Sequence, residues 1–543
     1  MTKKWGLLLF TSLLAVSTAL TGCSTNKGEK EPVKNEAAQE TKEIVFPLEQ
    51  PVDLTMFTVK HPQVKKDYSE MQFFKNMAEK TGVNVKWNLA STADGQEQMN
   101  LLFASDDLPD VFFGPYLMST SDIVRYGSDG QIVPLDDMIN EELTPNIVKL
   151  FEKRPEYKGY VTAPDGHIYT IPMISETMEN TIPDAMFINQ KWLDKLGLDM
   201  PTTTDEFYAV LKAFKTGDPN GNGAADEIPF SVVNMKNAIQ GPLSLAAAFG
   251  KSWPSGNAAN FYVENGKITF APLLEENRDF LTYINKLYKE GLIDQEIFTH
   301  DASVYAAKLN SKPSSVGAFF FWNASALPPE TRDDYVIVPP LKGPSGDTGW
   351  NRQDPNNNPH GFSITKENKH PEITMKWFDE LYETNTSLEA TYGPFGINLE
   401  KVDGGYTLVP SDDPGFRYSE SAGAQAPGAV LAETFATAVP SPDAPADRKM
   451  EYVQLLKPFT DSEIFPRNLM ISLEDAELAK QWGIDVMAEN AYLDQAIAKI
   501  VTGNDPEGEW KKMVEQLKKY GLEDYTAMMQ RNYDSYISSS EAK

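Results

Sequence analysis

Residues 218–230 read DPNGNGAADEIPF, a run with an oxygen-bearing side chain at every second position and glycines between. In a coiled loop alternate residues turn toward one centre, so this spacing builds a cage for a hard cation. Laid on an EF-hand loop, Asp218, Asn220 and Asn222 take positions 1, 3 and 5, and Gly223 takes position 6, where the chain turns sharply. Ala224 at position 7 offers its carbonyl, and Asp226 stands at position 9. The departure is position 12, which is Pro229; the last acid comes early, at Glu227. Three carboxylates, two amide oxygens and one carbonyl approach the roughly six to eight oxygens that Ca²⁺ takes. Mg²⁺ keeps more of its water and suits such a cage less. The competing reading is a metal-free polar Asn-Gly turn. A calcium ion here would use every ligand for itself, so the expected role is structural, with no sensing.

A second set of residues has the chemistry to hold a sugar. Aromatic faces stack on the C–H faces of pyranose rings, while short polar side chains take the hydroxyls. Aromatics at strand ends or in loops are therefore the candidates: Trp322, which ends an apolar run and precedes Asn323; Trp350, in the polar loop GDTGWNRQD; and Trp253, in a Pro/Gly-rich loop. Tyr116 follows PDVFFG, at the carboxyl end of a strand, where open α/β sheets bind ligands. Arg352 has the fork for a sugar carboxylate, or equally for an ion pair within the protein. Core packing competes for every one of these aromatics, and it claims Trp87, Trp192 and Trp377, which sit in periodic segments.

Catalytic motifs are absent from the sequence. The five histidines show no HExxH spacing, and there is neither G-x-S-x-G nor a phosphate-cradling glycine loop. The single cysteine, Cys23, leaves no disulfide and no thiolate site elsewhere. A glycosidase needs only two carboxylates, and 78 acidic residues leave that option open. A net charge of −29 without a basic run excludes a phosphate-binding surface, so no nucleic-acid partner is expected.

Lys3 and Lys4 precede an apolar stretch from Gly6 to Leu20, then Leu20-Thr21-Gly22-Cys23. The stretch is short for a membrane span and has the form of an export signal. Its end resembles the bacterial lipobox, which implies removal of residues 1–22 and acylation of Cys23. Residues 23–44 are polar and charged and read as a disordered tether. The expected location is the extracytoplasmic face of the bacterial cell membrane, held by lipid alone.

Positioning these residues falls to an α/β scaffold. Strand-like VDLTMF, a helical stripe over 67–80, alternating VNVKWNLA, a helix over 95–105 and the buried run PDVFF predict a parallel sheet with crossover helices. A similar pattern restarts after residue 185, with helices predicted over 205–214, 273–291 and 370–383 and an apolar strand over 316–322. From Asp475 to Ile537 periodicity predicts helices, broken at Gly483 and at Gly503-Asn504-Asp505-Pro506. A chain of 543 residues exceeds one core, so two lobes or more are expected.

Together the lipobox, the α/β halves, the DPNGNGAADEIP loop, NKLYKEGLID (285–294) and GFSITKENKHPEITMKWFDELY (361–382) resemble the extracellular solute-binding proteins, family 1. The similarity is strongest to the large lipoproteins that serve ABC importers of oligosaccharides, including alginate-oligosaccharide binders. It implies a two-lobed, type II periplasmic-binding-protein-like α/β fold, with the ligand cleft between discontinuous lobes. Lobe one is then expected at 45–174 and 362–400, and lobe two at 175–355 and 425–543. Crossing segments are expected at 356–361 and 401–424. It further implies structural calcium on Asp218, Asn220, Asn222, Ala224, Asp226 and Glu227, an oligosaccharide ligand, an ABC permease as partner, and a monomer without enzymatic activity. The alternatives are a peptide or other solute in the same fold, and a secreted glycoside hydrolase.

Overall fold

Alternation along the first strand decides which side chains face which layer. In the computed structural model β1 (Val52–Lys60) sends Leu54 and Met56 to one face, and Phe57 and Val59 to the other; all four are buried. The structure describes residues 43–541 except 62–63, 116, 177–180, 183, 236–240, 255–259, 322–326, 328, 353–356, 412–415, 440–448, 462, 467–468 and 489–490. Cys23 and the tether up to residue 42 lie outside the described residues, and Ile44–Lys543 forms one compact unit.

After β1 come β2 (Val83–Ser91), β3 (Val111–Phe113), β4 (Ile171–Ser175), β5 (Ala185–Asn189) and β6 (Ile228–Ser231). The hairpin of β7 (Phe261–Glu264) and β8 (Lys267–Phe270) precedes β9 (Val316–Phe321), β10 (Tyr335–Ile337) and β11 (Asn358–Ile364). A second hairpin, β12 (Leu399–Val402) and β13 (Gly405–Leu408), precedes the short β14 (Ala429–Val430). One sheet runs β14-β4-β11-β3-β1-β2 and the other β10-β5-β9-β6. The expected parallel pairing holds for β1 with β2 and β3; β11 then enters antiparallel to both β3 and β4. The first sheet is covered on both faces, which is why PDVFF has no polar face: Val111 and Phe113 enter one layer and Phe112 the other.

Two separate hydrophobic cores define the lobes. Lobe one gathers residues from Leu54 to Ile174, Phe362 to Ala390 and Tyr418 to Ala429. Lobe two gathers Ile182 to Trp350 and Tyr452 to Tyr533. Ile171–Ser175 and Asn358–Ile364 are neighbouring strands of the lobe-one sheet. Leu399, Tyr406 and Val430 belong to a small separate cluster, and β14 pairs with β4 of the first sheet. The helix Lys449–Leu456 contributes Tyr452, Val453 and Leu456 to the lobe-two core. The sequence could not reveal the β14 pairing, because β14 is a two-residue strand whose only signature is its partner.

The tail forms the helices Leu473–Trp482, Tyr492–Thr502, Pro506–Lys519 and Leu522–Glu541. Asp505 caps the third, accepting from the Gly508 amide at 3.0 Å, and Pro506 fills its first turn. The last helix belongs to both lobes. Its Tyr525, Met528 and Tyr533 enter the lobe-two core, while Tyr536 and Ser540 lie over Gly159 of the lobe-one helix Pro155–Val161. No described helix is long and apolar enough to cross a membrane.

Candidate functional site

The carboxyl end of β4 and the segments that leave lobe two near Arg352 and Asp461 face each other across a cavity of about 520 Å³. Arg154, Glu156, Tyr157, Glu176 and Asn357 line it from lobe one. Ile182, Arg352, Thr460, Asp461 and Ile464 line it from the other side, with Tyr536 of the last helix.

Glu176 organises the lobe-one wall. It is 8% exposed and follows directly on β4. Arg154 meets it with a two-pronged grip, Nε to Oε1 at 2.7 Å and Nη2 to Oε2 at 2.9 Å. The Tyr157 hydroxyl donates to Oε1 at 2.7 Å, and the Ala432 amide to Oε2 at 2.9 Å. Desolvation opposes the charged form, yet the donors Arg154, Ala432 and Tyr157 outweigh it and hold this carboxyl below its usual range. Asn357 extends the network: its amide nitrogen donates to Tyr157 Oη at 3.2 Å, and its oxygen accepts from the Ser175 amide at 3.1 Å. On the lobe-two wall Arg352 donates to the Asp461 carbonyl at 3.4 Å, and the Ser252 hydroxyl donates to Asp461 Oδ2. Burial pushes the Asp461 carboxyl up, only partly offset by Ser252 and Lys251.

Of the sequence candidates, Arg352 reaches this cavity. Trp350 and Trp253 do not. Each is 1% exposed within the lobe-two core; the Trp350 indole donates to the Asp184 carbonyl at 3.1 Å and packs on Phe320, and the Trp253 indole donates to Asn260 at 2.8 Å. Both indoles are buried in the lobe-two core, the environment in which packing competes with ligand contact. Trp322, Asn323 and Tyr116 lie outside the described residues. Glu176, Asn357 and Asp461 were missed, because segments nearly 300 residues apart bring them together. The one sequence signal was positional: Glu176 stands at the carboxyl end of a strand, the usual ligand side of an α/β sheet.

The cation loop folds as its spacing requires. Asp218, Gly221 and Gly223 take left-handed backbone at φ 44°, 75° and 77°. The Asn222 amide donates to Asn220 Oδ1 at 3.0 Å, and the Ala224 amide to Asn222 Oδ1 at 2.7 Å. Both Asn side chains turn to Asp226, at 2.9 Å from Asn220 and 2.9–3.1 Å from Asn222. These donors hold the Asp226 carboxyl below its usual range. Glu227 is left over: its Oε1 is buried with no hydrogen-bond partner, and desolvation, with the charges of Asp226 and Asp218, pushes its carboxyl up. An inward oxygen lacking a donor is what a bound cation satisfies, so the residues present fit one. The chain passes from the helix Thr204–Thr216 through the loop into β6, which explains Pro229 in place of a twelfth-position acid.

A further metal-like cluster, Asp294, Glu296 and His300, has ligand atoms within 4.8 Å of one another. The Lys308 ammonium occupies its centre, at 2.7 Å from Asp294, 2.7 Å from Glu296 and 3.1 Å from His300 Nδ1. The cation of that cluster is the protein's own.

The family model for bacterial extracellular solute-binding proteins matches residues 62–384. The chain is 32% identical over 519 residues to the fructooligosaccharide ABC transporter substrate-binding protein FusA of Streptococcus pneumoniae serotype 4, covering 91% of this chain and 92% of that one. A solved structure of an EF-hand mutant of FusA with fructo-nystose aligns at a TM-score of 0.71 and 30% identity, over 90% of this chain and 99% of that one. The alginate-binding protein AlgQ2, solved without calcium ion, aligns at 0.64 and 26%, over 91% and 100%. Lipoprotein LipO of Bacillus subtilis is 25% identical over 447 residues, 78% of this chain and 79% of LipO. The family match covers more than half of the chain, and the 32% identical relative spans nine-tenths of it: this chain belongs to the bacterial extracellular solute-binding proteins.

Proposed function

We propose that this protein captures an oligosaccharide between its lobes and delivers it to the permease of an ABC importer, anchored by lipid at Cys23 and carrying one structural calcium ion. The observation that carries the reading is a two-walled cavity in a chain alike to an oligosaccharide-binding relative over nine-tenths of its length. A ligand touching both walls binds best when the lobes are held together, so it biases their equilibrium toward the closed form. No covalent step is required. Hydroxyl acceptors and donors at Glu176, Asn357, Arg352 and Asp461 orient the sugar, and the stems of Tyr157, Ile182 and Ile464 exclude water. Trp322, Asn323 and Tyr116 stand as further contacts in this reading. Calcium would be held by Asp218, Asn220, Asn222, Asp226 and Glu227 with the Ala224 carbonyl, completing the loop that leads into β6. The LTGC motif supports the lipid anchor, and a monomer suffices for all of it.

The test is a thermal-shift screen against oligosaccharides and peptides in millimolar calcium, followed by calorimetry and by chromatography of the recovered ligand. A glycan that raises the melting temperature by mass action and is recovered intact supports the proposal. Stabilisation by peptides alone, or cleavage of the glycan, overturns it.

A further inference from the structure

Among the described residues the cavity is lined by three cations, Arg154, Arg352 and Lys457, and three carboxylates, Glu156, Glu176 and Asp461; Lys457, like Arg352, has a partner within the chain. On the lobe-one wall each guanidinium nitrogen of Arg154 donates to the chain itself: Nε to Glu176 at 2.7 Å, Nη2 to Glu176 and Glu433 at 2.9 Å each, and Nη1 to the Lys153 carbonyl at 3.3 Å. No open fork is left there for a ligand carboxylate. On the lobe-two wall Arg352 is engaged by the Asp461 carbonyl, with the desolvated Asp461 carboxylate beside it. Glu156, half-buried on the cavity rim, makes no ion pair among the described residues. Carboxylates at these places serve one kind of guest well. They accept short, charge-assisted hydrogen bonds from hydroxyl groups, and they repel a second carboxylate across a partly desolvated gap. The chain's net charge of −29 adds a long-range field of the same sign.

We propose that this cavity selects neutral oligosaccharides and rejects uronate-bearing ones of equal length, with the Asp461 and Glu156 carboxylates as the discriminating groups. This rests on the oligosaccharide reading above and narrows it. The relatives named do not decide the matter, since one carries the name of a fructooligosaccharide binder and another that of an alginate binder.

Calorimetry on the full chain in mild detergent, with calcium at pH 7, compares inulin-derived fructooligosaccharides and manno-oligosaccharides with oligoalginate and oligogalacturonate of the same length. The expected result is a preference of about a hundredfold or more for the best neutral glycan, which shrinks as salt screens the repulsion. Asp461→Asn and, independently, Glu156→Gln should each narrow the preference by about tenfold. Glu156 is exposed enough that its variant keeps the test available should Asp461→Asn fail to fold. A uronate that binds within tenfold of the best neutral glycan, or a preference unmoved in both variants, overturns the inference while the oligosaccharide reading stands. Binding of neither class overturns that reading, and the inference with it.

Discussion

At the scale of single residues, the two tryptophans show how far a side-chain type carries. An indole in a polar, glycine-rich stretch has the same signature whether it faces a sugar or is roofed by the loop, and only the fold decides. Because Trp350 is sealed against Phe320 with its N–H satisfied, Trp350→Ala should cost roughly 3–5 kcal/mol of lobe-two stability, seen as a lower denaturation midpoint. Ligand affinity of the fraction that remains folded should change little. A variant with unaltered stability and lost affinity would return Trp350 to the binding surface. His360 on β11 makes a second residue-scale point. It is fully buried, its Nδ1 meets the Gly114 carbonyl at 2.8 Å, and its Nε2 has no partner. Burial depresses its pKa to about 4, against about 6.5 in an unfolded chain. The neutral ring thus contributes stability that is complete above about pH 6.5 and is lost as pH falls toward 4, on the order of 3 kcal/mol in all. Unfolding titrations at pH 7 and pH 4.5 should show this slope in the wild type and a flatter one in His360→Gln.

At the scale of elements, the turn over residues 218–227 was legible because its pattern is local: alternating Asx residues and turn glycines are written consecutively. The cavity was not legible, because Arg154, Glu176, Asn357 and Asp461 belong to four separate segments whose meeting depends on sheet order. Alternation and helical stripes located the strands and the tail helices well, while the antiparallel entry of β11 and the two-residue β14 carry no local signal. The loop also sets an expectation. If the loop holds calcium as proposed, its removal leaves Asp218, Asp226 and Glu227 to repel one another at the entrance to β6, a strand that pairs with β9 inside the lobe-two sheet. Chelation should therefore lower the melting temperature by several degrees, and Gly223→Ala should do part of the same by penalising the left-handed turn, at about 1 kcal/mol. A melting curve indifferent to both chelator and added calcium would remove the metal from this account.

At the scale of the whole molecule, the last helix ties two lobes that are otherwise joined by crossing segments. A β-carbon added at Gly159 would meet the Tyr536 carbonyl at 2.7 Å, whereas one added at Gly483 meets nothing within 4 Å. The two glycine-to-alanine variants should therefore diverge. Gly483→Ala should be neutral or slightly stabilising. Gly159→Ala should lift the helix from lobe one, lowering stability and enlarging the ligand-free particle in small-angle scattering. Equal behaviour of the two would mean that the contact at Gly159 bears no strain between lobes. The discontinuity of the cores also bears on how such a chain is made. A polypeptide leaves the ribosome and a secretion channel amino end first, yet the lobe-two core that opens at Ile182 is not complete until Tyr525 and Tyr533 arrive, and β14 closes the lobe-one sheet only at residue 430. The lobe-two core therefore stays incomplete after the lobe-one sheet has closed, and the emerging chain carries uncovered apolar faces until its last helix arrives. A chain cut short before Tyr525 would lack that part of the lobe-two core and would be prey for proteases rather than a weaker binder.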